Sequence, residues 1–133
     1  MAQAFALHPG SVLSHELTAR IADRLGDHRR AAEHLTAALK QAPLRLDLLG
    51  RARETLTALG DFGALERLYR TVLGAVQQGS GLDAVGLWVD LALLYREGLG
   101  RPDQARVALG VAERLAADDP RVIAARRTLA DGA

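Results

Sequence analysis

The stretch LGDHRRAAEHLTAALKQAP, residues 25–43, decides the fold, because LGDFGALERLYRTVLGAVQ begins again at residue 59. Leu25-Gly26-Asp27 recurs as Leu59-Gly60-Asp61, thirty-four residues on. Ala31, Leu35 and Ala38 stand opposite Leu65, Tyr69 and Val72, all small or apolar, and Pro9 and Pro43 keep the same spacing. Self-similarity at a fixed period of this length is the signature of a stacked repeat.

Within each copy the apolar residues follow a helix. Leu65, Leu68, Tyr69, Val72, Leu73 and Val76 fall at the i, i+3, i+4, i+7, i+8, i+11 positions of one face. Leu48, Leu49, Ala52, Leu56 and Leu59 make a second stripe, and Ala31, Leu35, Ala38 and Leu39 a third. Asp27 and Asp61 sit where an N-cap accepts from first-turn amides. The glycine before each can end the preceding helix in the left-handed region. Asp119-Pro120 marks another start, with Pro at the first helical position. These signals predict seven helices, at about 10–25, 28–41, 45–59, 62–78, 82–98, 102–117 and 120–130. Gln77-Gln78-Gly79-Ser80-Gly81 is the one composition break, a short polar insertion within a single domain spanning 1–133.

Composition agrees. Hydrophobic residues make up 49% and aromatics 4%, the excess being Ala and Leu, which favour helices. Val and Ile never alternate as a half-buried strand requires. Seventeen basic residues against sixteen acidic give a net charge of +1, without the basic stripe of a nucleic-acid binder. There is no cysteine, hence no disulfide and no thiolate zinc site. No apolar run reaches the roughly 18 residues of a membrane span. The opening MAQAFALHPGS lacks the basic start and apolar core of a secretory signal. A cytoplasmic protein with no cofactor is the expectation.

The unit resembles a tetratricopeptide repeat, a pair of antiparallel helices in thirty-four residues with W-x2-L-G-x2-Y in the first and A-x3-F…P in and after the second. Trp88, Leu91, Ala92 and Tyr95 reproduce the first pattern, with Ala for Gly; Ala105, Leu109, Ala112 and Pro120 follow, with an extra residue near Leu99-Gly100. A second unit keeps Leu49, Ala52, Leu56, Gly60, Tyr69 and Val72. A first keeps Ala19, Ala31, Leu35, Ala38 and Pro43, with His15 and Thr18 at positions usually large and apolar. The resemblance implies an all-α solenoid, a right-handed superhelix of three units (about 12–45, 46–79 and 85–120) and a final helix at 120–130. Ala6-Leu7-His8-Pro9-Gly10 resembles the tail of a preceding unit, and Val122, Ile123, Ala125 and Leu129 the start of a following one. That suggests a segment of a longer array; alternatively Arg121, Arg126 and Arg127 make the last helix a polar cap.

Catalytic and metal patterns are weak. His28 and His34 are six apart, which does not place them on one helix face, and no HExxH spacing occurs. Ser11 and Ser14 read as helix caps, and no serine sits in a GxSxG turn. Gly79-Ser80-Gly81 lacks the lysine of a phosphate loop. Trp88 and Tyr95 read as core. No enzymatic function and no metal are expected.

In the family the first helix of each pair lines a concave groove that holds partner segments. The resemblance, carried over by phase, points to Leu13, Glu16, Arg20, Asp23 and Arg24, then Asp47, Arg51, Glu54 and Thr57, then Val89, Asp90, Leu93, Arg96 and Glu97. A solvated helix face is the plain alternative. The family's carboxylate clamp needs Lys and Asn in phase; Lys40 is the sole lysine and lies elsewhere, and asparagine is absent. The expected function is a scaffold or adaptor binding a protein or peptide segment through residues such as Arg20, Arg24 and Arg51, with neither nucleic acid nor membrane as partner. A self-assembly module forming homo-oligomers and a regulatory or targeting domain of a larger protein are the alternatives.

Overall fold

The computed structural model describes residues 10–76 and 83–131. The readings made on residues 1–9, on His8 and on the insertion at 77–81 lie outside them. Among the described residues there are seven α-helices and no strand: α1 Val12–Arg24, α2 His28–Gln41, α3 Leu46–Leu59, α4 Phe62–Val76, α5 Ala84–Leu93, α6 Pro102–Ala116 and α7 Pro120–Asp131. The all-helical fold is as expected, and each described boundary lies within two residues of its predicted position, α5 excepted. That helix passes without interruption into a π-helical turn, Leu94–Gly98.

The repeat extends to the backbone hydrogen bonds. At the end of α1, Asp27 N–H donates to Ala22 O at 2.8 Å and Gly26 N–H to Asp23 O at 3.1 Å. Thirty-four residues on, Asp61 N–H donates to Leu56 O at 2.9 Å and Gly60 N–H to Thr57 O at 3.0 Å. Both glycines stand at positive φ, +75° and +72°, which a side chain resists. The next helix then starts at once. Asp27 Oδ1 accepts from Arg30 N–H, and Asp61 Oδ1 from Ala64 N–H, each at 3.2 Å. Ser11, Asp83 and Asp119 cap α1, α5 and α7 in the same manner.

The π turn accounts for the extra residue near Leu99-Gly100. A π turn closes its hydrogen bond over five residues instead of four, and Leu99 N–H donates to Leu94 O at 3.0 Å. The surplus residue is absorbed inside the helix, and α6 still starts with its apolar face turned inward.

The chain forms two compact units, Met1–Val72 and Leu73–Ala133, whose boundary falls within α4. In the first, α2 packs against both α1 and α3. Its core is Ala19, Ala31, Leu35, Ala38, Leu39, Leu48 and Ala52, all with no exposed surface. Alanines let the backbones approach, and each leucine removed from water contributes about 1.5–3 kcal/mol. In the second unit α5 packs against α6 and α7, which also pack on each other. Ala105, Ala108, Leu109, Ala112, Val122 and Ala125 are buried there. Tyr95 is buried as expected, but Trp88 is only half-buried. Val89, placed in the groove by phase, is buried in the core instead. The reason is that α5 is covered on two sides, so residues beyond one narrow stripe are enclosed.

Candidate functional site

Charged residues of the first unit pair between α1 and α3. The two helices run in the same direction, since Glu16 meets Arg45 and, further along both, Asp23 meets Arg51. Glu16 is the hub. Its side chain is only 13% exposed and lies 3.4 Å from Arg45 Nη2 and 3.5 Å from Arg20 Nη2. Arg45 also grips Asp47, with Nε and Nη2 donating at 2.9 and 2.8 Å. That hydrogen bond, more than any other contact, raises the pKa of Arg45 and lowers that of Asp47. Arg51 Nη2 stands 3.6 Å from Asp23, while its Nη1 is buried with no hydrogen-bond partner among the described residues. Asp23 also lies 3.7 Å from His28 Nδ1.

The structure therefore joins five of the predicted groove residues, Glu16, Arg20, Asp23, Asp47 and Arg51, into chains of ion pairs. Arg24 and Glu54 are exposed on the same two helices. Arg45 was not foreseen; its partner Glu16 lies twenty-nine residues away, and no local spacing reveals such a contact. Among the candidates on the second unit are Asp90 and Arg96. Asp90 is half-buried, and Arg96 stands 3.8 Å from Glu97.

Arg96 also lines a cleft of about 860 Å3 in the second unit, together with Gly100, Pro102, Arg106, Leu109, Glu113, Arg126, Leu129 and Ala130. The floor is apolar, from the buried Leu109 and the half-buried Leu129. The rim carries three arginines against one glutamate. Arg126 Nη2 donates to Glu113 at 2.9 Å, whereas Arg106 is 3.5 Å from Asp103. Exposed pairs of this kind are worth at most about 1 kcal/mol, so the guanidinium groups are readily drawn to another anion. Sequence phase found Arg96 alone, because the other two arginines come from α6 and α7.

At the far end of α7 Arg121 bridges Asp83 at 2.9 Å and Asp119 at 2.8 Å. The Arg121 guanidinium, aided by its backbone N–H, lowers the Asp119 carboxyl from 3.8 to about 2. Gly86 leaves room for the guanidinium, since a Cβ there would meet Arg121 Nη1 at 2.6 Å.

The histidines are arranged otherwise than in sequence. His15 Nδ1 and His34 Nδ1 lie 2.8 Å apart across α1 and α2, while His28 sits beside Asp23. Among the described residues no group of three or more His, Cys, Asp or Glu could hold a metal. No described helix is long and apolar enough to cross a membrane.

No protein-family model matches the chain, and a search of curated proteins likewise finds no match.

Proposed function

We propose that the chain is a non-catalytic interaction module of tetratricopeptide type that binds an acidic protein segment carrying an apolar anchor. The observation that carries this reading is the cleft of the second unit, with Arg96, Arg106 and Arg126 around an apolar floor. Guanidinium groups pair carboxylates in a planar, two-point fashion, and the leucines beneath offer a side chain somewhere to go. The charged face of α1 and α3 supports the same reading in part. Its arginines already hold internal acids, so a partner there must compete with Glu16 and Asp23. Phage display against the full chain, followed by fluorescence anisotropy with the selected peptides, tests the proposal. Selected peptides should be acidic, and Arg96→Glu, Arg106→Glu and Arg126→Glu together should weaken them at least tenfold. Unchanged affinity in the triple variant would remove the cleft from the function.

A second reading, self-assembly, is favoured by one observation. Leu13, Leu17 and Ile21 on α1, continued by Leu25 at its C-cap, form an apolar stripe with 51%, 38%, 60% and 78% of their surface exposed. Single exposed leucines are ordinary, but a stripe at helical spacing marks a contact face. Light scattering should then show a dimer or larger species that Leu17→Glu with Ile21→Glu returns to monomer. A monomer at high concentration excludes this reading.

A further inference from the structure

We propose that the chain assembles head to tail, the apolar stripe of α1 in one copy packing on the outer face of α6 in the next. The inference rests on the self-assembly reading and names the surface that covers the stripe.

The repeat itself shows which faces are covered. Leu13, Leu17 and Ile21 stand thirty-four residues before Asp47, Arg51 and Thr55, and seventy-four before Leu87, Leu91 and Tyr95. On α3, Thr55 is buried and Arg51 reaches Asp23 of α1. In the second unit Leu87, Leu91 and Tyr95 are all buried. On α1 the same phase is apolar and open to water.

The comparison also singles out α6. Ala31, Leu35 and Ala38 on α2 align with Ala105, Leu109 and Ala112, so Glu33, Ala37 and Gln41 align with Val107, Val111 and Leu115. On α4 the corresponding residues are Arg67, Thr71 and Ala75. Two copies of the repeat make this outward face polar or small. The third makes it apolar, with Val107 70% and Leu115 54% exposed. Val107 is a poorer helix former than Glu33 or Arg67, so the helix gains nothing from it. What an apolar stripe gains is burial against another surface.

The two stripes fit each other. Both advance in steps of four residues, which makes each a ridge of the kind that interdigitates in the commonest helix crossing, at about −50°. Charge then decides between partners. The acids of α1, Glu16 and Asp23, face Arg45 and Arg51, leaving Arg20 and Arg24 as the exposed charges beside the stripe. A second α1 would therefore offer arginines to arginines. The α6 ridge instead starts at Asp103, four residues before Val107, and its carboxylate is 93% exposed. Set antiparallel, with Leu13 on Leu115, Leu17 on Val111 and Ile21 on Val107, the helices bring Arg24 alongside Asp103, while Arg114 falls near Ser14. Each copy carries one face of each kind, so growth continues until a ring closes. One helix on one helix is a small interface, which makes assembly depend on concentration.

The test uses two full-length variants with one face blocked in each, Leu17→Glu with Ile21→Glu and Val107→Glu with Leu115→Glu, followed by light scattering and sedimentation. Wild type at high concentration should form species larger than a dimer. Each variant alone should be a monomer, and an equal mixture of the two should form a one-to-one dimer, because each keeps the face that the other lacks. Arg24→Glu should weaken wild-type assembly by about fivefold, and Asp103→Arg added to it should restore assembly. A dimeric Val107→Glu, Leu115→Glu variant shows α1 stripes pairing with each other, which overturns the head-to-tail contact and spares self-assembly. A wild type that stays monomeric overturns both. Blocked variants that remain monomeric on mixing, beside an assembling wild type, overturn the contact between α1 and α6. The blocked positions are exposed, and a variant whose circular dichroism departs from wild type is replaced by Leu17→Gln or Val107→Gln on the same face, with the same outcomes.

Discussion

Replacing Leu35 by Ala is expected to cost about 3–4 kcal/mol of stability. Leu35 sits on α2, the helix that packs on both α1 and α3, and none of its surface is exposed. The substitution deletes three carbon atoms, worth about 0.8 kcal/mol each in transfer, or about 2.4 kcal/mol. The space cannot collapse readily, because Ala31, Ala38 and Leu39 around the same helix are themselves fully enclosed. The residual void adds about 1 kcal/mol or more, which places the total inside the range of about 2–5 kcal/mol for such truncations. The control is Ile21→Ala on α1. Ile21 keeps 60% of its surface in water, so its loss should cost under about 1 kcal/mol. Urea unfolding followed by circular dichroism at constant pH measures both. Similar small losses for the two variants, or a larger loss for Ile21→Ala, would refute the placement of the core between these helices.

Three further outcomes are expected. Gly60→Ala should destabilise by about 1–2 kcal/mol, because the residue stands at φ +72°. Gly50→Ala, inside α3 with nothing within 4 Å of the added carbon, should stabilise by about 0.5–1 kcal/mol; equal signs in thermal melts would contradict the left-handed turn. Asp119 has a folded pKa of about 2 against an ordinary 3.8. A depressed value contributes stability that is full above pH 4 and is lost as the pH falls towards 2. The stability gap between wild type and Asp119→Asn, which keeps a competent cap, should therefore be present at pH 7 and vanish near pH 2. A gap independent of pH in denaturant titrations rules out the Arg121 bridge as its cause. Glu16→Gln should loosen both Arg45 and Arg20, raising amide exchange at the start of α3; protection equal to wild type would show the hub to be idle.

The sequence by itself determined the helices and their ends. Leu-Gly-Asp at 25–27 and 59–61 encodes its own turn, because glycine alone takes positive φ cheaply and the aspartate that follows caps its own first turn. The buried stripes were equally legible, since which residues share a helix face follows from their spacing. The tertiary structure decided how faces on different helices meet. One residue of offset turns a side chain by about 100° around a helix axis, so a contact such as Glu16 to Arg45, or His15 to His34, depends on a rotation and a slide between helices that no local pattern records. The same holds for the cleft, whose three arginines come from the end of the α5 segment, α6 and α7. Val89 shows the converse. Its phase assigned it to an open face, and the packing of both α6 and α7 against α5 closed that face.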